Sequence, residues 1–333
     1  MAIFLFVLRR VAVSIVLLVV ASFVVYAGIR ATVDPTESLR ASKKPASVIN
    51  EFRESRNLNE PIVSQYSQWF TNFMQGDLGT GDKDNQDVSE KLSLALQNTL
   101  ELLIWGALFA AVFGITSGVI AGIRKNKLED YTISFFTTIG IALPVFWFAY
   151  VLMELFTNVL PDKVGTDTIF YINGNADGFF GQTESGLWTQ ESIVEYIRHL
   201  ALPVMVLSIQ LAASWSRYQR GSMVEALQSD YIRTAQSKGM SKFRVYSRHG
   251  LRNAQLPMVN VIALDIGALF GGLIITEYIF NIHGMGLVFV EALNAGDATT
   301  LVSWTIVTAA AIIAFNLVAD LISPIVDPRV RTF

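Results

Sequence analysis

Cysteine is absent from all 333 residues, and that absence removes several chemistries at once. Disulfide scaffolds, thiolate zinc sites, iron–sulfur clusters and thiol nucleophiles are all excluded. Charge is scarce too: Asp, Glu, Lys and Arg make up 16% of the chain, against about 25% in soluble domains. Histidine occurs three times, as His199, His249 and His283, each in a different loop or boundary. No H-E-x-x-H, G-x-S-x-G or nucleotide-binding P-loop is present. Gly76 and Gly81 share the P-loop glycine spacing, but Asp82 stands where its lysine would follow. Nothing in the spacing supports an enzyme site, and no cofactor, metal or nucleic acid is expected on this chain.

Apolar surface is what the chain has in excess. The hydrophobic set makes up 52% of it, with 22 Phe and 6 Trp, and the mean hydropathy is +0.44. A membrane span needs about 20 mostly apolar residues. Six stretches qualify, at 11–29, 102–123, 131–153, 200–216, 256–276 and 299–319, and together they contain one charged residue, Asp265. Runs such as Ile15-Val16-Leu17-Leu18-Val19-Val20 do not alternate as barrel strands must. Helices, which satisfy their own backbone in lipid, are the solution. The reading is therefore an all-α membrane protein with six transmembrane helices. Arg9 and Arg10 precede the first span as they would in a signal peptide, but the run is too long and lacks a small-x-small cleavage pair. It is read as a retained span.

Lys and Arg set the orientation. With a cytoplasmic N-terminus, the inside segments 1–10, 124–130, 217–255 and 320–333 hold 15 Lys+Arg and 6 Asp+Glu in 70 residues. The outside segments 30–101, 154–199 and 277–298 hold 10 and 21 in 140 residues. Both termini are predicted inside. Arg30, Arg40, Lys43 and Lys44 run against this, but their segment is longer than the loops to which the rule applies well.

Three parts follow: 1–29 as N-terminus and first helix, 30–101 as an external domain, and 102–333 as the transmembrane core. The external domain is predicted to carry short amphipathic helices from Val48 to Arg56 and from Val63 to Met74. Trp69, Phe70 and Phe73 suit a membrane interface, and a glycine-rich turn runs from Gly76 to Gly81. The second external loop, 154–199, is rich in Gly, Asp and Asn and reads as irregular. No internal repeat occurs at a period of about 20–50 residues.

The inside loop 217–255 is the most informative segment. Ser222 to Lys238 reads as a helix, Gly239 as its left-handed cap, and Ser241 as the N-cap of a second helix. That helix passes His249 and Arg252 to Leu256-Pro257, with proline in the first turn of the next span. The loop holds 8 Lys+Arg. Lipid headgroups account for the charge but not for a folded 39-residue connector, which suits docking by another protein. In the spans, Asp265 faces a cavity or partner, or is a protonated group held within the bundle; both readings stay open. Gly267, Gly271 and Gly272 permit close packing or line a path, and Pro144 is expected to kink its helix.

At this loop the sequence resembles a known family. Arg233-Thr234-Ala235, Gly239 and Leu256-Pro257 are similar to the EAA loop of ABC-importer permeases. Further stretches resemble the first permease subunit of dipeptide, oligopeptide and nickel importers: Leu58-Asn59-Glu60-Pro61, Gly76-Asp77-Leu78-Gly79, Asn98-Thr99-Leu100-Glu101-Leu102, Pro144-Val145-Phe146-Trp147, His199-Leu200-Ala201-Leu202-Pro203, His249-Gly250-Leu251-Arg252-Asn253-Ala254, Gly284-Met285-Gly286 and Asp327-Pro328-Arg329. Arg233 stands where the broader pattern has Glu, Asp34-Pro35 lacks the usual preceding Gly, and His283 stands in place of Pro. The resemblance implies a type I importer fold in a bacterial cytoplasmic membrane. It implies a second six-helix permease, two cytoplasmic ATPase subunits carrying ATP and Mg, and an external binding protein. The coupling residues implied are Tyr231, Arg233, Thr234, Ala235, Lys238, Gly239, Met240, Ser241, Arg244, His249, Arg252, Leu256 and Pro257. Pro144, Asp265, Gly271 and Gly272 are candidates for the translocation path. The expected cargo is a di- or oligopeptide, with nickel or another small solute as the alternative. A scaffold or receptor without transport is the rival from another class.

Overall fold

The computed structural model describes residues 2–165, 169–171 and 190–326. Among these, regular structure is helical, with one isolated bridge between Thr80 and Asp87. Five helices are long and apolar enough to cross a membrane: Leu8–Thr32, Val88–Ile123, Ile193–Gln228, Lys242–Phe270 and Ala298–Asp320. The stretch read as one span at 131–153 is instead a pair, Leu128–Ala142 and Val145–Lys163, bent by 102°. The break falls at Leu143-Pro144, because proline lacks the N–H that would continue the ladder and disfavours helical geometry in the residue before it. Leu143 is accordingly extended (ψ 124°).

The chain forms two compact units. The first spans Met1–Thr99, Phe270–Ile274 and His283–Ala314. Here the Ala46–Ser55 and Ile62–Met74 helices appear where amphipathic segments were predicted. Trp69 and Phe73, expected at a membrane interface, belong to the apolar packing of this unit. Trp69 stacks on Tyr66 and on Phe73 and lies tilted against Tyr26, and both residues pack on the cluster of Tyr26, Val302 and Ile306. Ser22 and Tyr66 share a hydrogen bond of 2.7 Å across 44 residues, tying the first helix to this layer. The rest of that helix, at Val13, Val16, Leu17, Val20 and Val24, is exposed, as a lipid-facing surface requires. A second cluster joins Leu78, Val88, Leu92, Met285 and Trp304. Residues from Val88 onward, assigned by sequence to the external domain, already belong to the helix that continues to Ile123.

The second unit spans Leu100–Leu269, Ile275–Ile282 and Phe315–Phe333. Its backbone contacts are set by glycine. A Cβ on Gly114 would lie 2.9 Å from the Ala212 carbonyl oxygen, and one on Gly118 would lie 2.5 Å from that of Ser216. One on Gly122 would lie 2.7 Å from the Met223 Cβ. With Gly106 against Leu207 and buried Ala110 between, a small residue recurs every fourth position from 106 to 122 along one stripe of the Val88–Ile123 helix. Such small-residue stripes let helix backbones approach closely in lipid, where packing rather than hydrophobicity drives association. Ser117 and Ser216 hydrogen-bond across the seam at 2.9 Å. The 154–199 loop, read as irregular, is helical at both described ends, through the turn Leu155–Val159 and Leu160–Val164 and again from Gln190.

Candidate functional site: the basic loop and the membrane aspartate

The helix expected from Ser222 to Lys238 is two helices. The membrane helix runs on to Gln228, and Asp230–Ser237 follows a break at Ser229. Ser229 is extended (ψ 155°) and takes the N-cap position. The short helix is strongly two-sided. Ile232 and Ala235 are buried with Val245, and Leu227, Met240 and Tyr246 pack around them. The opposite side exposes Tyr231, Arg233, Thr234 and Lys238. Arg233 and Asp230 approach to 3.4 Å, but both are exposed, so the pair contributes little.

Gly239 has φ +77°, a left-handed conformation that glycine reaches without steric cost. Ser241 sits at the N-cap position of Lys242–Arg244 without making a side-chain capping bond. From there the helix does not end. It widens into a π-helical turn, Val245–Leu251, and continues as Arg252–Gly272. Pro257 therefore lies inside a helix rather than in its first turn, and the Asn253 carbonyl receives no bond from it. The wide turn fits because Gly250 is buried: a Cβ there would lie 3.1 Å from the Met223 Cε and 3.2 Å from the Leu227 Cδ2. His249 and Leu256 are half-buried, whereas Arg244, Arg252 and Pro257 are exposed.

The result is a rigid base with a cationic face. Arg233, Lys238, Lys242, Arg244, Arg248 and Arg252 are all exposed. Among them stands Phe243, 82% exposed and absent from the residues singled out by sequence. Its signal was an aromatic side chain between Lys242 and Arg244 in an otherwise polar run. An exposed aromatic flanked in sequence by exposed Lys242 and Arg244 suits an acidic protein surface with an apolar pocket.

Asp265 is half-buried, and its Oδ2 accepts a hydrogen bond of 2.7 Å from the Nε1 of Trp215, which is fully buried. At the Pro144 break, the Leu143 carbonyl accepts from Gln210 Nε2 at 2.9 Å. Gly271 and Gly272 close the Arg252–Gly272 helix. An ion pair not legible in the sequence joins the start of the bent pair to the Gln190–Gln228 helix. Arg220 Nε and Nη2 donate to the two carboxylate oxygens of buried Asp130 at 2.5 and 2.8 Å. Asp130 also accepts from the Asn126 N–H at 2.9 Å.

The family model for the binding-protein-dependent transport system inner membrane component matches residues 114–332. The oligopeptide transport system permease protein AppB of Bacillus subtilis (strain 168) is 34% identical over 330 residues, covering 98% of this chain and 99% of that protein. The dipeptide transport system permease protein DppB of Escherichia coli (strain K12) is 35% identical over 280 residues, 82% of each chain. Among solved structures, inward-facing MetNI, a methionine ABC transporter, aligns with TM-score 0.54 and 17% identity, covering 71% of this chain and 96% of that one. An amino acid ABC transporter aligns with TM-score 0.51 and 12% identity, covering 71% and 94%. These two establish the fold alone. The chain belongs to the family of binding-protein-dependent transport system inner membrane components, and it is a multi-pass permease subunit of an ABC importer.

Proposed function

We propose that this chain is one of two permease subunits of an ATP-driven peptide importer in the bacterial inner membrane. The observation that carries the cargo is the end-to-end similarity to a permease named for oligopeptide transport, over 98% of this chain. Six spans result when the bent pair Leu128–Ala142 and Val145–Lys163 is counted as one. Both termini are cytoplasmic, a reading supported by the excess of Lys and Arg in 1–10, 124–130, 217–255 and 320–333. Tyr231 to Pro257 forms the coupling element. Its cations and Phe243 engage a cytoplasmic ATPase, while Ile232, Ala235 and Val245 fix the element to the membrane helices. Two ATPase subunits hold ATP and Mg in their own sites, a second six-helix permease completes the path, and an external binding protein delivers the peptide. Nucleotide binding and hydrolysis rock the permease pair between inward- and outward-facing states.

Reconstitution into proteoliposomes with the partner subunits tests this. Gly239→Val places a β-branched residue at φ +77°, where it is strained. The variant should insert normally and lose ATP-dependent uptake of labelled di- and oligopeptides. Normal uptake by it sinks the coupling assignment. A wild-type complex that hydrolyses ATP yet accumulates no peptide sinks the cargo.

A further inference from the structure

A polar cavity of about 260 Å³ lies within the first unit, lined among others by Tyr26, Arg30, Arg56, Trp69, Asn72 and Thr299. Its two arginines are in opposite situations. Arg56 is fully engaged: it donates to the Thr80 carbonyl at 2.7 Å, to Asp82 Oδ1 at 2.8 Å and to Thr80 Oγ1 at 2.9 Å. Arg30 lies 5.5 Å over the Tyr26 ring, and its Nε and Nη1 are buried without a hydrogen-bond partner among the described residues. The Trp69 indole Nε1 is likewise buried and unpartnered. Buried N–H groups are almost always paired, and leaving a cationic one unpaired is costly. Asp82 lies near enough to act on Arg30 electrostatically, but three idle donor atoms beside a guanidinium with no ion pair among the described residues describe a site for an anion.

The surroundings select its charge. Asp82, held by Arg56, and Asp77 on the cavity wall make a dianion unfavourable, whereas one negative charge balances Arg30. A carboxylate fits better than a phosphate dianion. The volume admits the end of a peptide rather than its length, and the amides of Gln65, Gln68 and Asn72 offer partners to its backbone. We propose that this cavity binds the terminal carboxylate of a short peptide, with the Arg30 guanidinium as counter-ion and the Trp69 N–H as a second donor. The choice of a peptide rests on the import reading above; the anion site does not.

Because this chain has no cysteine, S55C places a single thiol on the cavity wall at a residue outside the proposed contacts. The full chain is assembled with its partner permease in nanodiscs without ATP, and maleimide labelling of that thiol is timed. Dialanine at tenfold its Kd should slow labelling about tenfold by mass action, dialanine amide should not, and adding R30Q should abolish the protection. Equal protection by the amide, or protection unchanged by R30Q, overturns the proposal. Protection by glycerol 1-phosphate but not by dialanine also overturns it and assigns the cavity to a phospholipid headgroup. If R30Q does not assemble, W69F keeps an aromatic side chain and removes the N–H; it should weaken protection, and unchanged protection counts against the site. Uptake is measured separately. Transport without protection removes the site and leaves the import reading, whereas protection without transport does the reverse.

Discussion

The indole N–H of Trp215 and the carboxyl of Asp265 meet at 2.7 Å, 50 residues apart in sequence. Trp215 is fully buried, so removing its acceptor leaves a buried donor unpaired, at a cost of about 1–3 kcal/mol. D265A should therefore lower the thermal stability of the chain in detergent, while D265N, which keeps an acceptor oxygen, should melt near the wild type. Equal melting of D265A and wild type would mean that the bond contributes nothing.

The glycine stripe gives a steric prediction. A Cβ at Gly118 meets the Ser216 carbonyl oxygen at 2.5 Å and the Gln219 Cβ at 2.7 Å, whereas one at Gly28 meets nothing within 4 Å. G118A should cost about 1–3 kcal/mol by overpacking, and G118L should prevent recovery of dispersed protein. G28A should be neutral. Size-exclusion profiles and melting curves of the three variants check this.

Phe243 packs on nothing in proportion to its size, being 82% exposed. F243A should leave insertion and melting unchanged. It should weaken ATPase binding by roughly 2 kcal/mol, the scale of an aromatic hot spot. Ile232 is buried beneath the same loop, and I232A should instead destabilise the chain by about 2–5 kcal/mol. Binding of the ATPase subunits to detergent-solubilised permease separates the two; F243A with full affinity would remove Phe243 from the docking face.

Arg220 grips both oxygens of Asp130, whose side chain is 2% exposed. R220A strands that carboxylate and should cost about 3 kcal/mol. R220K keeps the charge but loses the paired geometry, and should fall between. Chemical unfolding in detergent ranks the three proteins, and a wild-type midpoint for R220A would refute the pairing.

Asp82 carries a pH dependence. Burial pushes its carboxyl above the ordinary value of 3.8, outweighing Arg56 and the Thr299 N–H, which act to lower it. A carboxyl with a raised folded pKa binds its proton more tightly folded than unfolded. Its contribution is full below 3.8 and declines as pH rises through the raised value. The stability of wild type relative to D82N should therefore fall from acid toward neutral pH, and a constant difference across that range would be the contrary result.

Five of the spans were legible because about 20 consecutive apolar residues leave few alternatives, and the bend at Pro144 follows from the chemistry of one residue. Gly239 was legible for a similar reason, since a glycine between two amphipathic runs marks a left-handed cap. Helix ends were not. Val88 to Glu101 is polar enough to read as domain rather than membrane helix, and its burial against Met285 and Trp304 appears only in three dimensions. The pairs Trp215–Asp265, Arg220–Asp130 and Gln210–Leu143 span 50, 90 and 67 residues, beyond any periodicity. The glycine stripe is illegible in sequence for a different reason. Single glycines are ordinary in membrane helices, and only the facing helix shows that there is no room for more. The π-turn at Val245–Leu251 has no local signature, because it depends on Gly250 meeting Met223 and Leu227.

That turn has a mechanical consequence. Because it widens the helix instead of interrupting it, Lys242 to Phe270 is one continuous 29-residue rod. Phe243 at its tip and Asp265 are 22 positions apart, about 33 Å at the helical rise. Without slack chain between them, a push at the tip is not taken up by a flexible connector. It would be carried along the helix toward the depth of Asp265, less the bending taken up at the π-turn and at Pro257, the two joints of that lever.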